Sequence, residues 1–348
     1  MENNKYPELN TVVEELGRYG AAVFELSYEE FLRAGYEPGD LVEVCLNGEK
    51  FAVPAGTAYS DVDTGSLVLI KIAMYDRMIL AQNNVHGFAE AHNIKKGDAA
   101  VIRMLSKGGC LEEYELRKVT MSGERSDYGT DEEFANFRAV KAGKIAEGRL
   151  LRGFSPINPS DGRSTYADAL LKKAGAETAI NLDNESEEQR ELYPGYHGTY
   201  YSTLRVVPVK MSFSVREESF PRAIEAVLNA IALNEAPYYI HCRYSRDRTG
   251  LLCAILEALS GASFTEIRED YMLSYENIHH LEKGSPKWEF QAGEHVDKVL
   301  KELLGTDDLS CGLKEKTEAV LNKKYGIKKS LIKKAVSRLC GKKGCGSR

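Results

Sequence analysis

Tyr238-Tyr-Ile-His241-Cys242-Arg243-Tyr244-Ser245-Arg246-Asp247-Arg248-Thr249-Gly250-Leu-Leu-Cys-Ala-Ile-Leu256 is the stretch from which the rest of the chain is read. A β-type run, Tyr238–Ile240, passes through a short loop into an apolar helix, Leu251–Leu259, which Gly261 closes at its C′ position. A loop in that setting points successive backbone N–H groups into one cavity, and the helix behind it adds the positive end of its dipole. The product is an anion cradle. The same field stabilises a thiolate at Cys242, which is expected to make it the nucleophile. Arg248 grips two non-bridging phosphate oxygens bidentately, as a lysine point charge does not. The Thr249 hydroxyl is placed to hydrogen-bond the sulfur and improve it as a leaving group. His241 fixes the loop through backbone contacts rather than by proton transfer. The chemistry implied is covalent phosphoryl transfer: attack by sulfur, a phosphocysteine, then hydrolysis by water, with no metal and no cofactor.

Working outward, strand and helix patterns alternate on both sides of this stretch. Tyr166–Lys173 reads as a helix, Thr178–Leu182 as a buried strand, Leu204–Val209 as a strand and Phe220–Leu233 as a helix. Strands separated by helices of this length predict βαβ units, hence an α/β fold with a mainly parallel sheet flanked by helices. The first 120 residues differ in texture. After a predicted helix within Leu9–Leu32, spaced by Val12, Val13, Leu16 and Tyr19, short β-type runs dominate: Leu41–Leu46, Lys50–Val53, Ser66–Ile72, Met78–Ala81 and Ala99–Met104. Asn47-Gly48 between the first two is a hairpin signal. A polar stretch, Met121–Glu133, predicts a linker. The expected organisation is a small β-rich domain at 1–120, of unknown role, followed by a catalytic domain at 121–348.

His241-Cys242-x5-Arg248-Thr249-Gly250 resembles the signature of the cysteine-dependent tyrosine phosphatase superfamily. Gly148-Arg-Leu-Leu-Arg152-Gly-Phe-Ser-Pro156, Ala179-Ile-Asn-Leu182, Glu269-Asp270-Tyr-Met-Leu-Ser-Tyr275 and the C-terminal Thr317–Cys340 are similar to its bacterial branch, so the resemblance covers about residues 125–340. It implies a tyrosine-phosphatase-like fold and a phosphoric monoester hydrolase acting by default on phosphotyrosine in proteins. Inositol phosphates or phosphoinositides are the alternative, and a phosphate-reading module without turnover is the rival from another class. In the N-terminal half, Tyr59-Ser-Asp-Val-Asp-Thr-Gly65 and Ile94-Lys-Lys-Gly97-Asp98 are similar to the small β-domain of S-adenosylmethionine hydroxide adenosyltransferases, a resemblance that bears on fold alone.

The chain departs from the superfamily pattern at two places. Tyr244-Ser245 stands where Ala-Gly is common, and losing that glycine disfavours the usual loop conformation; rhodanese-like dual-specificity phosphatases carry an aromatic-Ser pair here, and Tyr244 is placed to line the cleft. The family commonly supplies an acidic Asp from the loop after the strand preceding the catalytic one, but here Lys210-Met-Ser-Phe-Ser-Val-Arg216 has no carboxylate before Glu217 and Glu218. Asp247, beside Arg248, is the first candidate for general acid, with the glutamates second. Arg243 and Arg246 add positive groups that, in the superfamily, accompany multiply phosphorylated substrates, unless acidic neighbours pair with them. The expected phosphate and substrate contacts are therefore Arg243, Tyr244, Ser245, Arg246 and Arg248.

Composition excludes several classes. With 348 residues, 43% hydrophobic and 28% charged, the chain is neither disordered nor collagenous nor a long coiled coil. No run approaches the roughly 20 apolar residues of a membrane span, and no secretory signal is visible at the start, so a cytoplasmic location is expected. Seven cysteines without paired spacing argue for reduced thiols. The net charge of −6 is unevenly spread, because residues 312–348 carry 12 Lys or Arg against two Glu. This basic end reads as a solvated helix face rather than a membrane contact, and the acidic remainder argues against a nucleic-acid partner. His279-His280, on one helix, point to different faces and read as capping or surface residues rather than metal ligands; Cys340-x4-Cys345 lacks a second pair for zinc. Cys253 reads as core, with resolution of an oxidised Cys242 as the minor reading. Tyr271 and Tyr275, at i and i+4, read as packing residues.

Overall fold

The computed structural model describes residues 5–17, 19–71, 76–83, 87–183, 186–211 and 214–341. They form two compact units, Met1–Val119 and Thr120–Arg348.

In the first unit, β1 (Leu9–Leu16), β2 (Ala22–Phe24), α1 (Tyr28–Arg33), β3 (Leu41–Leu46), β4 (Glu49–Gly56), β5 (Leu67–Lys71), β6 (Met78–Gln82), α2 (Phe88–Ala91), β7 (Ala99–Ser106) and α3 (Leu111–Arg117) follow in order. The strands close into a barrel in the order β1-β2-β6-β5-β4-β3-β7, which leaves no free sheet edge. The expected helix within Leu9–Leu32 is not formed. Its β-branched Thr11, Val12 and Val13 instead pair with β7 and β2, and among the described residues of the stretch only those from Tyr28 onward, in Tyr28–Arg33, are helical, started by a capping box between Ser27 and Glu30. The hairpin forms as its turn residues predict. Asn47 and Gly48 both have positive φ, 51° and 79°, and side chains along β3 alternate in burial. Phe24, Phe31, Tyr36, Val42, Val44 and Ile102 fill the barrel. The Ile72 end of the expected strand Ser66–Ile72 lies outside the described residues.

The second unit runs α4 (Asp131–Phe134), β8 (Arg138–Ala139), β9 (Leu150–Arg152), α5 (Ser164–Lys173), β10 (Thr178–Asn181), α6 (Glu187–Glu191), β11 (Arg205–Pro208), α7 (Phe220–Leu233), β12 (Tyr238–His241), α8 (Asp247–Leu259), α9 (Phe264–His279), α10 (Pro286–Ala292), α11 (Lys298–Leu304), α12 (Leu313–Ala319) and α13 (Lys329–Leu339). Its sheet has the order β11-β10-β12-β9-β8; the pairings among β9, β12, β10 and β11 are parallel, and β8 is antiparallel to β9. β12 is central and buried along its whole length, which its aromatic and β-branched run can tolerate. The polar stretch expected as a linker is packed into this unit instead. Tyr128 is buried, its hydroxyl donating to the Ile278 carbonyl at 3.2 Å, and the Arg163 guanidinium stacks on its ring and donates to the Ser122 carbonyl. Buried aromatic and guanidinium groups outweigh a polar composition here. Strand register brings two loops together at one end of the sheet. Asn181 lies opposite His241, so the chain leaves β10 and β12 side by side, and the Leu182 amide donates to the His241 carbonyl at 2.8 Å.

Candidate active site

The loop between β12 and α8 begins at Cys242, which is 3% exposed. Among the described residues, none of the amides of residues 243–249 donates to a protein acceptor; the first to do so is Gly250, to the Arg246 carbonyl at 2.9 Å. Ser245 and Thr249 are buried and the other five residues are partly exposed, so a run of amides without protein acceptors at a helix N-terminus is available to an anion. Gly250 permits the tight start of α8: a Cβ there would stand 2.5 Å from the Tyr271 ring.

Ser245 takes the left-handed conformation, with φ of 52°, that a glycine would adopt without strain. The brace beneath it explains how a serine is held there. The buried Arg152 donates from Nη2 to the Ser245 carbonyl at 2.5 Å, Asn136 Nδ2 donates to the same carbonyl at 3.3 Å, and Arg152 Nε donates to Ser245 Oγ at 3.4 Å. Asp270 in turn pairs with Arg152 at 2.6 Å and with Arg138 at 2.9 Å. Burial opposes its ionisation, but the two guanidinium groups hold its carboxyl well below the usual range. The Ser245 side chain is thus engaged by Arg152, while its backbone amide stays among those of the loop that meet no protein acceptor. Asn136, Arg138, Arg152 and Asp270 had no role assigned from sequence. The available signal was a charge set among apolar residues, at Arg138 between Phe137 and Ala139 and at Arg152 after Leu150 and Leu151; Asn136 and Asp270 carried none.

The three arginines of the loop each have an aspartate. Arg248 donates to Asp183 Oδ1 at 2.9 Å and to the Leu182 carbonyl at 2.5 Å. Arg243 donates to Asp161 at 3.2 Å and to Ser160 Oγ at 2.8 Å. Arg246 grips both oxygens of Asp247 at 2.9 and 3.1 Å. Burial would raise the Asp247 pKa, but Arg246 overrides it and holds the carboxyl below its ordinary value. That counts against the acid role expected of Asp247, since an acid must carry its proton, whereas a base must not. Glu217 and Glu218 are exposed; Ser212 and Phe213 of the same loop lie outside the described residues.

The remaining predicted residues are placed as follows. Thr249 Oγ1 is buried without a hydrogen-bond partner among the described residues, so the expected bond to the sulfur is not made in this state. Tyr244 stands edge-on to Phe154, with ring centroids 5.5 Å apart, and Arg243 lies over its ring. His241 is fully buried. A carbonyl only accepts, so the contact of Nδ1 with the Cys242 carbonyl at 3.4 Å makes Nδ1 the protonated nitrogen, and Nε2 then accepts from the Tyr201 hydroxyl at 3.0 Å. The same logic makes His279 neutral: Arg246 donates to its Nε2 at 2.8 Å and its Nδ1 donates to the Thr120 carbonyl at 2.8 Å. His280 caps α9 against the Tyr128 ring. Tyr271 and Tyr275 are buried, and the six described cysteines are free thiols; Cys345 lies outside the described residues. A cavity of about 900 Å³ lies along β8, lined by Arg138, Leu151, Asp270 and Leu273, behind the brace rather than over Cys242.

Burial pushes the pKa of His241 down to about 3, and the nearby Arg190 and Arg248 charges act in the same direction. Its folded value lies below its unfolded value, so its contribution to stability is complete above about pH 6.5 and is lost as the pH falls toward 3. His241→Gln keeps a hydrogen-bonding group but cannot take the proton. Its stability is expected to change less between pH 7 and pH 5 than that of the wild type, by about 1 kcal/mol per pH unit, read by urea unfolding. Parallel pH dependences would show that His241 is not buried as a neutral group.

The profile of a family described as the tyrosine phosphatase family matches residues 132–339. No curated protein matches the chain. Among solved structures, an uncharacterized conserved protein from Thermotoga maritima is 22% identical, over 30% of this chain and 37% of its own, with a TM-score of 0.27. A conserved hypothetical protein from Thermus thermophilus is 27% identical, over 29% of this chain and 36% of its own, with a TM-score of 0.21. The chain therefore spans little more than a third of either. The core catalytic domain of the PP-IP phosphatase SIW14 from S. cerevisiae, solved with citrate, is 18% identical over 49% of this chain and 91% of its own, with a TM-score of 0.30. Among the described residues, no helix is long and apolar enough to cross a membrane.

Proposed function

Because the chain belongs to the tyrosine phosphatase family, we propose that it hydrolyses single phosphate monoesters, phosphotyrosine in proteins first among them, through a phosphocysteine on Cys242. The observation that carries this reading is the run of acceptor-less amides over residues 243–249, which closes on Cys242 at one end and Arg248 at the other. In the proposed sequence the ester phosphate seats on those amides and Arg248 leaves Asp183 in part to hold two of its oxygens. The sulfur attacks phosphorus, forming the S–P bond as the ester P–O bond breaks, and the phenolate or alkoxide departs, taking its proton from solvent water. Water then attacks the phosphocysteine, returning the sulfur and releasing inorganic phosphate. The Thr249 hydroxyl, free of other partners, donates to the departing sulfur. Asp247, held as a carboxylate by Arg246, is suited to take the proton of the attacking water rather than to supply one to the leaving group.

The charge pattern favours one phosphate over many. Each loop arginine is already matched by an aspartate, so the rim does not accumulate the positive field that a polyphosphorylated ring requires. Tyr244, set against Phe154, offers an aromatic wall for a phenyl ester. Inositol phosphates and phosphoinositides are the alternative substrates. Steady-state assays on a phosphotyrosine peptide and on a myo-inositol polyphosphate are expected to give kcat/KM at least about tenfold higher for the peptide. The reverse order would assign the inositol class, and turnover of neither, with phosphate still bound, would leave a phosphate-reading module.

A further inference from the structure

The C-terminal hairpin carries Lys323, Lys324, Lys328, Lys329, Lys333 and Lys334, all exposed, and among the described residues none of the six has a carboxylate within ion-pair distance. Lys328 and Lys329 occupy the N-cap and first position of α13, which has no acidic residue in its first turn and no side-chain cap. Two ammonium groups at the positive end of a helix dipole oppose it. A local conflict of this kind points to a compensation that the described residues do not supply, and an anion in front of the helix would provide it.

Tertiary placement gives the patch a direction. α7 follows β11 and leads back to β12, so it begins at the end of the parallel sheet where Cys242 lies. The Tyr325 ring packs on Phe220, the first residue of α7, at 6.1 Å, while Arg338 donates to the Asn234 carbonyl just past its last. α13 therefore runs alongside α7 from the catalytic end, and Lys323–Lys329 crown that end. Leu192, 81% exposed, belongs to the same end. Its neighbour Tyr193 accepts at its hydroxyl from Asn158, the cap of the turn that holds Arg243.

We propose that this lysine crown docks on an anionic phospholipid bilayer and presents the catalytic mouth to it. The patch is made of lysines, with no arginine fork, and its aromatic residue, Tyr325, is engaged with Phe220, so it lacks the groups that read or stack nucleic-acid bases. Outside residues 312–348 the chain has 34 basic and 50 acidic residues, a field that repels a wrapping polyanion, whereas a flat bilayer needs one face.

The test is flotation of the full chain with vesicles of phosphatidylcholine alone, or with roughly a third phosphatidylserine, at about 0.1 M and about 0.5 M salt. The wild type is expected to float with the anionic vesicles at low salt and to be released at high salt. The variant Lys323→Gln, Lys324→Gln, Lys328→Gln, Lys329→Gln is expected to lose at least about tenfold in partition, since each lysine is worth about fivefold. Its turnover of a soluble aryl phosphate should be unchanged and its melting temperature equal or higher, because the conflict at α13 is relieved. Equal flotation of variant and wild type, no flotation of the wild type, or its displacement from vesicles by a polynucleotide would each overturn the proposal. Binding is read without turnover, so its failure is separate from that of the proposed activity.

Discussion

Cys242→Ser is expected to lower turnover of any phosphate monoester by at least about 10⁴-fold while phosphate still binds. The amides of residues 243–249 and the Arg248 guanidinium are untouched by the change, so the cradle remains. What is lost is the polarizable nucleophile: a serine hydroxyl in the same place has no base to activate it, since the neutral His241 is engaged with Tyr201 and the Cys242 carbonyl. Acid quench of the wild type during turnover of a ³²P-labelled aryl phosphate is expected to leave label on Cys242 and on no other residue. Asp247→Asn sharpens the experiment. If Asp247 acts as base in the second step, the variant releases a rapid stoichiometric burst of phenol and accumulates more label. If it acts as acid in the first, the burst vanishes and the rate falls most for poor leaving groups. Label that never marks Cys242 would remove the covalent mechanism altogether.

Arg152→Met is expected to destabilise the second unit by about 3–5 kcal/mol, which lowers its melting transition by about 10 °C. Arg152 is fully buried and serves as the common partner of Asp270 and the Ser245 carbonyl. Removing it leaves Asp270 with one guanidinium instead of two, beside Glu257, another buried carboxyl whose pKa burial and then Asp270 push well upward. The Ser245 carbonyl keeps only the weaker donors Asn136 and Ser274. Replacing both charges, Arg152→Met with Asp270→Leu, should restore part of the loss, because two apolar groups leave a smaller uncompensated burden than one orphaned charge. Neither variant is expected to restore full turnover, since Ser245 then sits in its left-handed conformation without its brace. A loss below about 1 kcal/mol for the single variant would show that the brace does not hold the loop.

The distinction between what composition, pattern and motif determine and what packing decides is clear at individual residues. Alternating strand and helix patterns from Thr178 to Leu259 were legible because each segment is long enough for its periodicity to be unambiguous; the predicted bounds of α7 match those observed, and Gly261 does follow the C-cap of α8 with φ of 84°. The Leu9–Leu32 pattern misled because strand pairing within the barrel overrode a spacing that also suited a helix. The loop from Cys242 to Thr249 was legible as a cradle because its anion-binding capacity is a backbone property, set by a short turn into a helix whatever surrounds it. The partners of its side chains were not. Asp183 stands 65 residues from Arg248 along the chain, Asp161 stands 82 from Arg243, and Asp270 stands 118 from Arg152. The register of β10 and β12 and the packing of α9 bring them together, and those contacts decide whether each arginine is free to meet a substrate.

Backbone chemistry local to one loop was therefore determined by the residues themselves, while the charge that a substrate meets there was decided by long-range packing, because ion pairs depend on distances in space that no spacing along the chain encodes.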